Sequence, residues 1–165
     1  QTPWDVEGAD ILLIHNAGEI LAWPENPGAF ALLLNAAGVS WTMSSEIAGY
    51  DSVNYGVWYD DAQMARVALM HARIARKLGV KKIVVGECGH AHKALMVIAD
   101  RILTGDLAIP RESYLGVLRD IVLGGRLSLD PGVFRTGGGW KTFKALHELG
   151  NIQHSTSNAQ HRGNE

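Results

Sequence analysis

A chain of 165 residues with 47% hydrophobic and 19% charged residues has the size and balance of one soluble globular domain with a substantial core. Its formal charge of -2, with no run of Lys or Arg, leaves no electrostatic footprint for nucleic acid or an anionic membrane surface. The apolar runs are far too short to span a bilayer, no basic start leads into a cleavable apolar segment, and a single cysteine excludes an internal disulfide framework. These features predict a cytoplasmic protein with no direct membrane insertion. The chain starts at Gln1 without a methionine, close to a buried-looking strand, and is read as a piece of a longer protein.

The first element, Asp10-Ile11-Leu12-Leu13-Ile14-His15, reads as a fully buried parallel strand, because a continuous apolar run suits a sheet covered on both faces. It ends at His15-Asn16-Ala17-Gly18. Asn26-Pro27 supplies an N-cap followed by proline at the first helical position, and Phe30, Leu33, Leu34 and Ala37 share a face before Gly38 stops that helix. Val39 to Met43 reads as a second strand, and residues 44 to 59 as a polar loop long enough to be functional. Asp60 and Gln63 have capping-box spacing, and Met64, Val67, Ala68, Ile74 and Leu78 recur at helical spacing until Gly79. Lys82 to Glu87 forms the third strand, and Gly89 to Leu103 a helix burying Leu95, Ile98, Ala99 and Ile102. Arg111 to Leu123 reads as a further helix with Tyr114, Leu115, Leu118 and Val122 inward.

The order βαβαβα predicts an α/β fold with a parallel sheet and right-handed crossovers, spanning residues 1 to 130 as one domain. From 131 to 165 the chain is rich in breakers and histidine and reads as a flexible, partly disordered tail with a short helix over 141 to 149. Gly137-Gly138-Gly139-Trp140-Lys141-Thr142 lacks phosphate-loop spacing and is read as linker.

The strongest chemical signal is Gly86-Glu87-Cys88-Gly89-His90-Ala91-His92, which sets the only cysteine at a strand-to-helix junction. A thiol there meets the positive end of a helix and, with the loop at 44 to 59 and His15, lies at the carboxyl ends of strands where α/β proteins place ligands. The bland reading of Cys88 is a small buried apolar residue. His90 and His92 are two apart, so they point in different directions on a helix and fit a capping or supporting role better than joint chelation. His71 falls on an apolar helix face and reads as a core histidine. His15 either lines the crevice or serves as a strand-terminal hydrogen-bonding group.

From about Trp4 to Asp130, about three quarters of the chain, the sequence resembles the heterodisulfide-reductase-type iron-sulfur subunits, including those of the membrane complex associated with dissimilatory sulfite reductase. In that family a lone Cys, then Cys-Cys-Gly, then Cys-x-x-Cys binds a [4Fe-4S] cluster, and the repeat occurs twice, each time on an α/β unit. Laid on this chain, His15-Asn16 takes the place of the first cysteine, Asn54-Tyr55-Gly56 that of Cys-Cys-Gly, and Cys88-Gly89-His90-Ala91 that of Cys-x-x-Cys. Only Gly56 and Cys88 are kept.

The resemblance implies a degenerate first repeat that retains the fold, with Cys88 as the remaining metal-ligand or catalytic position and His15, Asn54, Gly56, Cys88 and His90 as the cofactor-pocket positions. A cluster of this kind needs about four protein ligands, so the [4Fe-4S] cluster belongs to the parent family rather than to this chain alone. The implied partners are the remaining repeats of the parent subunit, a membrane-bound quinol-linked electron-transfer complex that would hold the chain peripherally on the inner membrane, and a small sulfur-carrier protein. The implied reaction is electron transfer toward a disulfide or trisulfide. Two other classes stay open: a cysteine-nucleophile enzyme of amidotransferase-like fold, suggested by the strand-turn-helix around Cys88, and an assembly domain without a site.

Overall fold

The computed structural model describes residues 2–46, 60–86, 88–92 and 99–127, all within one compact unit, Gln1–Leu127. Four parallel strands form the sheet: β1 (Ile11–Ile14), β2 (Trp41–Thr42), β3 (Lys82–Val85) and β4 (Arg111–Ser113), in the order β2-β1-β3-β4. The fold is therefore α/β with an all-parallel sheet. The helices are α1 (Ala17–Ala22), α2 (Glu25–Ala36), α3 (Asp61–Leu78), the short α4 (Gly89–Ala91) and α5 (Ala99–Ile102), and α6 (Tyr114–Leu123).

Strand alternation sorts the core into two layers. Ile11 and Leu13 of β1 and Val84 of β3 pack with Phe30, Ala31 and Leu34 of α2 and with Tyr114, Val117 and Ile121 of α6. Leu12, Ile14 and Ile83 face the other way onto Ile74, Ala75 and Leu78 of α3, and Val85 joins Met64, Val67 and Ala68 there. A sheet covered on both faces explains why β1 is apolar at every position.

Helix α3 forms where its local signals place it. Asp60 Oδ1 accepts from Ala62 N at 2.9 Å and Gln63 N at 3.1 Å, and Gly79 ends the helix in the left-handed region at φ 65°, which only glycine enters without strain. His71 is fully buried on its inner face, as a core histidine should be.

Several boundaries differ from expectation for identifiable reasons. Helix α2 begins at Glu25 behind Pro24, so Asn26 lies inside the first turn; its side chain is spent on Glu19 instead of capping. Between β1 and α2 stands an additional helix, α1. The second strand is confined to Trp41–Thr42 and continues only as a bridge from Met43 to Trp4. The third ends at Val85, and Ile102 is 46% exposed while Leu103 beside it is buried.

The largest correction concerns residues 111 to 113. They form β4, because Ile83 N donates to Pro110 O and the following residues pair in register with β3. The helix starts only at Tyr114, with Ser113 Oγ accepting from Leu115 N. Its inner face is therefore Tyr114, Val117 and Ile121, whereas Leu115 and Val122, expected inward, are exposed. Asn54, Gly56, the bulk of the 44 to 59 loop, Leu95, Ile98, the glycine-rich stretch and the 131 to 165 tail lie outside the described residues.

Candidate functional site at the strand switch point

β1 has β2 on one side and β3 on the other, so the strand order reverses between β1 and β3. In doubly wound sheets the crevice at such a reversal, outside the carboxyl ends, is the ordinary ligand position. Register pairs Ile14 with Val85, and Gly86 N donates to Ile14 O at 2.8 Å. The two sequence segments singled out for chemistry, His15-Asn16 and Gly86 to Ala91, are thus neighbours.

His15 continues the parity of Ile11 and Leu13 and turns into the α2 and α6 layer. Its ring is 1% exposed and meets Phe30 edge-on, centroids 5.1 Å apart. Phe30 in turn meets Tyr114 at 3.6 Å. His15 Nδ1 lies 3.4 Å from Glu19 Oε1, both side chains buried, and its Nε2 has no hydrogen-bond partner among the described residues. The expectation that His15 lines an open crevice is corrected: it is a core residue at the strand end.

Asn16 and Glu19 close a reciprocal capping box on α1. Asn16 Oδ1 accepts from Glu19 N at 2.9 Å, and Glu19 Oε2 accepts from Asn16 N at 2.8 Å. Glu19 Oε1 also accepts from Asn26 Nδ2 at 2.8 Å, so one buried carboxylate joins β1, α1 and α2. It presses on the β3 end as well. A Cβ on Gly86 would stand 2.8 Å from Glu19 Oε2 and 3.2 Å from Ile14 O, which makes glycine necessary there for space. Sequence reading missed Glu19, Asn26 and this role of Gly86. The available signal was Asn16-Ala17-Gly18-Glu19, an N-cap and N3 pair directly after a strand.

Cys88 is half-buried and precedes α4 with φ -65° and ψ 114°. It packs against the cluster of Met64, Val67, Ala68 and Val85, the α3 side of the sheet. The cysteine and His15 therefore belong to opposite faces, even though their strands are adjacent. His92 is committed to the backbone: its N–H donates to Cys88 O at 3.0 Å, and its Nε2 lies 2.8 Å from Gly86 O and 3.3 Å from Val85 O. Carbonyl oxygens only accept, so Nε2 carries the proton. His92 thus ties α4 to the end of β3. His90 belongs to α4.

Tyr114, at the carboxyl end of β4, is buried with its hydroxyl unpartnered among the described residues. Burial pushes its pKa from 10.0 up to about 12, because the phenolate would lose hydration without gaining a donor.

The described residues do not fit a [4Fe-4S] cradle. No three His, Cys, Asp or Glu side chains among them converge to hold a metal, the single thiol and the His15 imidazole face different layers, and Asn16 is occupied by its cap. Among the described residues no helix is long and apolar enough to cross a membrane. No family model, curated protein or solved structure matches this chain.

Proposed function

We propose that this chain is the cluster-free α/β module of a heterodisulfide-reductase-type electron-transfer subunit. Its task is to pack beside a cluster-bearing repeat, while that repeat passes electrons from a quinol-linked membrane complex to a disulfide or trisulfide on a sulfur carrier. The module itself performs no redox step, and its place is cytoplasmic, peripheral to the membrane through the complex.

The observation that carries this reading is the double fate of the His15-Asn16 and Cys88 positions. β1 and β3 are neighbours in a parallel sheet, which brings the His15-Asn16 and Cys88 segments to adjacent strand ends, as the proposed repeat would require. At those ends His15 belongs to the core and Asn16 to a capping box, so the first-cysteine place serves folding. Cys88 would keep the position of a ligand, and among the described residues no group of three His, Cys, Asp or Glu side chains could hold a metal.

The nucleophile alternative draws less from the geometry. A nucleophile elbow holds its reactive residue in strained backbone, whereas Cys88 has ordinary extended angles. Of the described histidines at the strand ends, His92 holds the Gly86 carbonyl and His15 faces the other layer.

Anaerobic reconstitution with iron and sulfide, followed by metal and sulfide analysis, tests the proposal. The expected result is iron far below one cluster per chain, with no thiolate-to-iron charge-transfer absorption. Near-stoichiometric [4Fe-4S] in the isolated chain refutes it.

A further inference from the structure

We propose that the cavity at the amino ends of β1 and β3 is a binding site for a small organic monocarboxylate, a compound with an apolar body and a single carboxylate. It lies at the end of the sheet opposite the switch point, so the inference is independent of the electron-transfer reading. The cavity holds about 350 Å³, within the range of small-molecule sites. Its wall is divided by chemistry.

Ile11, Val39, Val117 and Ile121 form the apolar side. Ile11, Val117 and Ile121 belong to the buried core between the sheet, α2 and α6, and Val39 packs against that core. An apolar body seated here would leave water for a surface that the fold already holds in place.

The charged side carries Asp10, Lys81, Lys82, Asp120 and Arg126, and ion pairing singles out one of them. Lys81 Nζ bonds Asp10 Oδ1 at 2.6 Å, Lys82 Nζ bonds Glu112 Oε2 at 2.5 Å, and Arg119 Nη2 bonds Asp120 Oδ1 at 2.7 Å. Among the described residues Arg126 alone of the five has no carboxylate partner; its Nη2 donates to the neutral carbonyl of Gly38 at 2.9 Å. The backbone fixes the same residue. Gly125 turns into the left-handed region at φ 64°, Gly125 N donates to Val122 O at 3.1 Å and Arg126 N to Ile121 O at 3.0 Å, which is the Schellman closure of α6. Arg126 is thus tethered through both backbone and side chain, with its remaining N–H donors open to a fork-shaped acceptor. The charges on the wall then decide the ligand class. Three cations against two carboxylates leave a surplus of one positive charge, which one carboxylate balances while matching the planar fork. A phosphate dianion would bring a second negative charge against Asp10 and Asp120, and an amine would meet the unpaired guanidinium.

NMR titration of the full chain with hexanoate tests the proposal. Methyl resonances of Ile11, Val39, Val117 and Ile121 should shift together and saturate with a dissociation constant in the millimolar range, the scale that so small a ligand reaches. Hexanamide, neutral and of the same shape, should bind about fivefold more weakly or worse. Hexyl phosphate, a dianion at about pH 8, should also bind more weakly than hexanoate. Arg126→Gln should weaken hexanoate by about fivefold or more, the effect of one charged contact near water. Arg126→Lys should weaken it less, since it keeps the charge and loses the fork. Arg76→Gln, on α3, should leave the titration unchanged. Arg126 is exposed, so circular dichroism of its variants should stay that of the wild type, and the hexanamide comparison needs no variant at all. The absence of a saturable shift at these methyls up to about 50 mM hexanoate overturns the proposal. So does hexanamide binding as tightly as hexanoate, hexyl phosphate binding more tightly, or an Arg126→Gln titration equal to that of the wild type.

Discussion

Replacing Glu19 with alanine would remove the acceptor at which β1, α1 and α2 meet. In the intact protein its buried carboxylate accepts from Asn16 N and from Asn26 Nδ2, each at 2.8 Å, and lies 3.4 Å from His15 Nδ1. A hydrogen bond to a charged group contributes about 1.5–3 kcal/mol, and a donor left buried without a partner costs about 1–3 kcal/mol. Water can reach the Asn26 amide, which is only partly buried, so the upper end of that sum does not apply. The working figure is about 3–5 kcal/mol, from within the range that the lost bonds and the partly buried Asn16 donor set. Against a total stability of ~5–15 kcal/mol, this is a large fraction, and at about 2–4 °C per kcal/mol for a domain of this size the midpoint should fall by roughly 10 °C.

Glu19→Gln keeps the shape and one acceptor but turns an amide NH2 toward one of the two donors, so its expected cost is about 1–3 kcal/mol. Urea unfolding followed by circular dichroism and tryptophan fluorescence measures both variants. An alanine variant within about 0.5 kcal/mol of wild type, the range of an ordinary surface substitution, would refute the reasoning. So would a glutamine variant as damaged as the alanine one, because packing volume rather than hydrogen-bond polarity would then be at work.

Two further outcomes follow from the same end of the sheet. Of the four tyrosines, Tyr114 should titrate last, near the value of about 12 to which burial raises it. With the folded value above the unfolded one, the contribution is fully present below pH 10 and lost as pH rises from 10 toward 12, by up to about 3 kcal/mol. Tyr114→Phe should abolish that alkaline loss and be neutral or slightly stabilising at pH 7, and urea midpoints at both pH values check it. Gly86→Ala should destabilise by about 1–3 kcal/mol through overpacking, since its Cβ meets the Glu19 carboxylate at 2.8 Å. In a Glu19→Ala background the same change should cost less than half as much; equal costs in a double-mutant cycle would place the crowding elsewhere.

What could be read in the sequence was whatever local chemistry decides. Asp60 and Gly79 bracket α3 because an oxygen must satisfy the first amides and only glycine turns left-handed cheaply. β1 was readable from its unbroken apolar run. The α6 phase was not, because it depends on an event outside the segment: β3 recruits residues 111 to 113 into a ladder, the helix starts late, and the face built on Tyr114 replaces the one drawn through Leu115. The capping box at Asn16 and Glu19 is present as a motif, but the expected start rests on Asn26-Pro27 alone; two helices stand where one is expected, and Asn26 bonds Glu19. Strand parity puts His15 on the side of Leu13. Which helices would cover that face is a property of the whole sheet.

A metal ligand introduced at the end of β1 would have to compete with the fold for its position. A donor at position 15 inherits the parity of Leu13 and points beneath Phe30, so a cysteine placed there would be a core thiol on the layer opposite Cys88. A cysteine at position 16 would gain the right end of the strand but forfeit the oxygen that caps α1, along with the reciprocal bond that holds Glu19. His15 and Asn16 each hold a folding role that would compete with metal binding: His15 fills the core and Asn16 caps the next helix. A metal ligand introduced at either position would therefore destabilise the very segment that must position it. At the neighbouring strand end His92 holds the turn through backbone carbonyls, and Cys88 packs against the α3 layer.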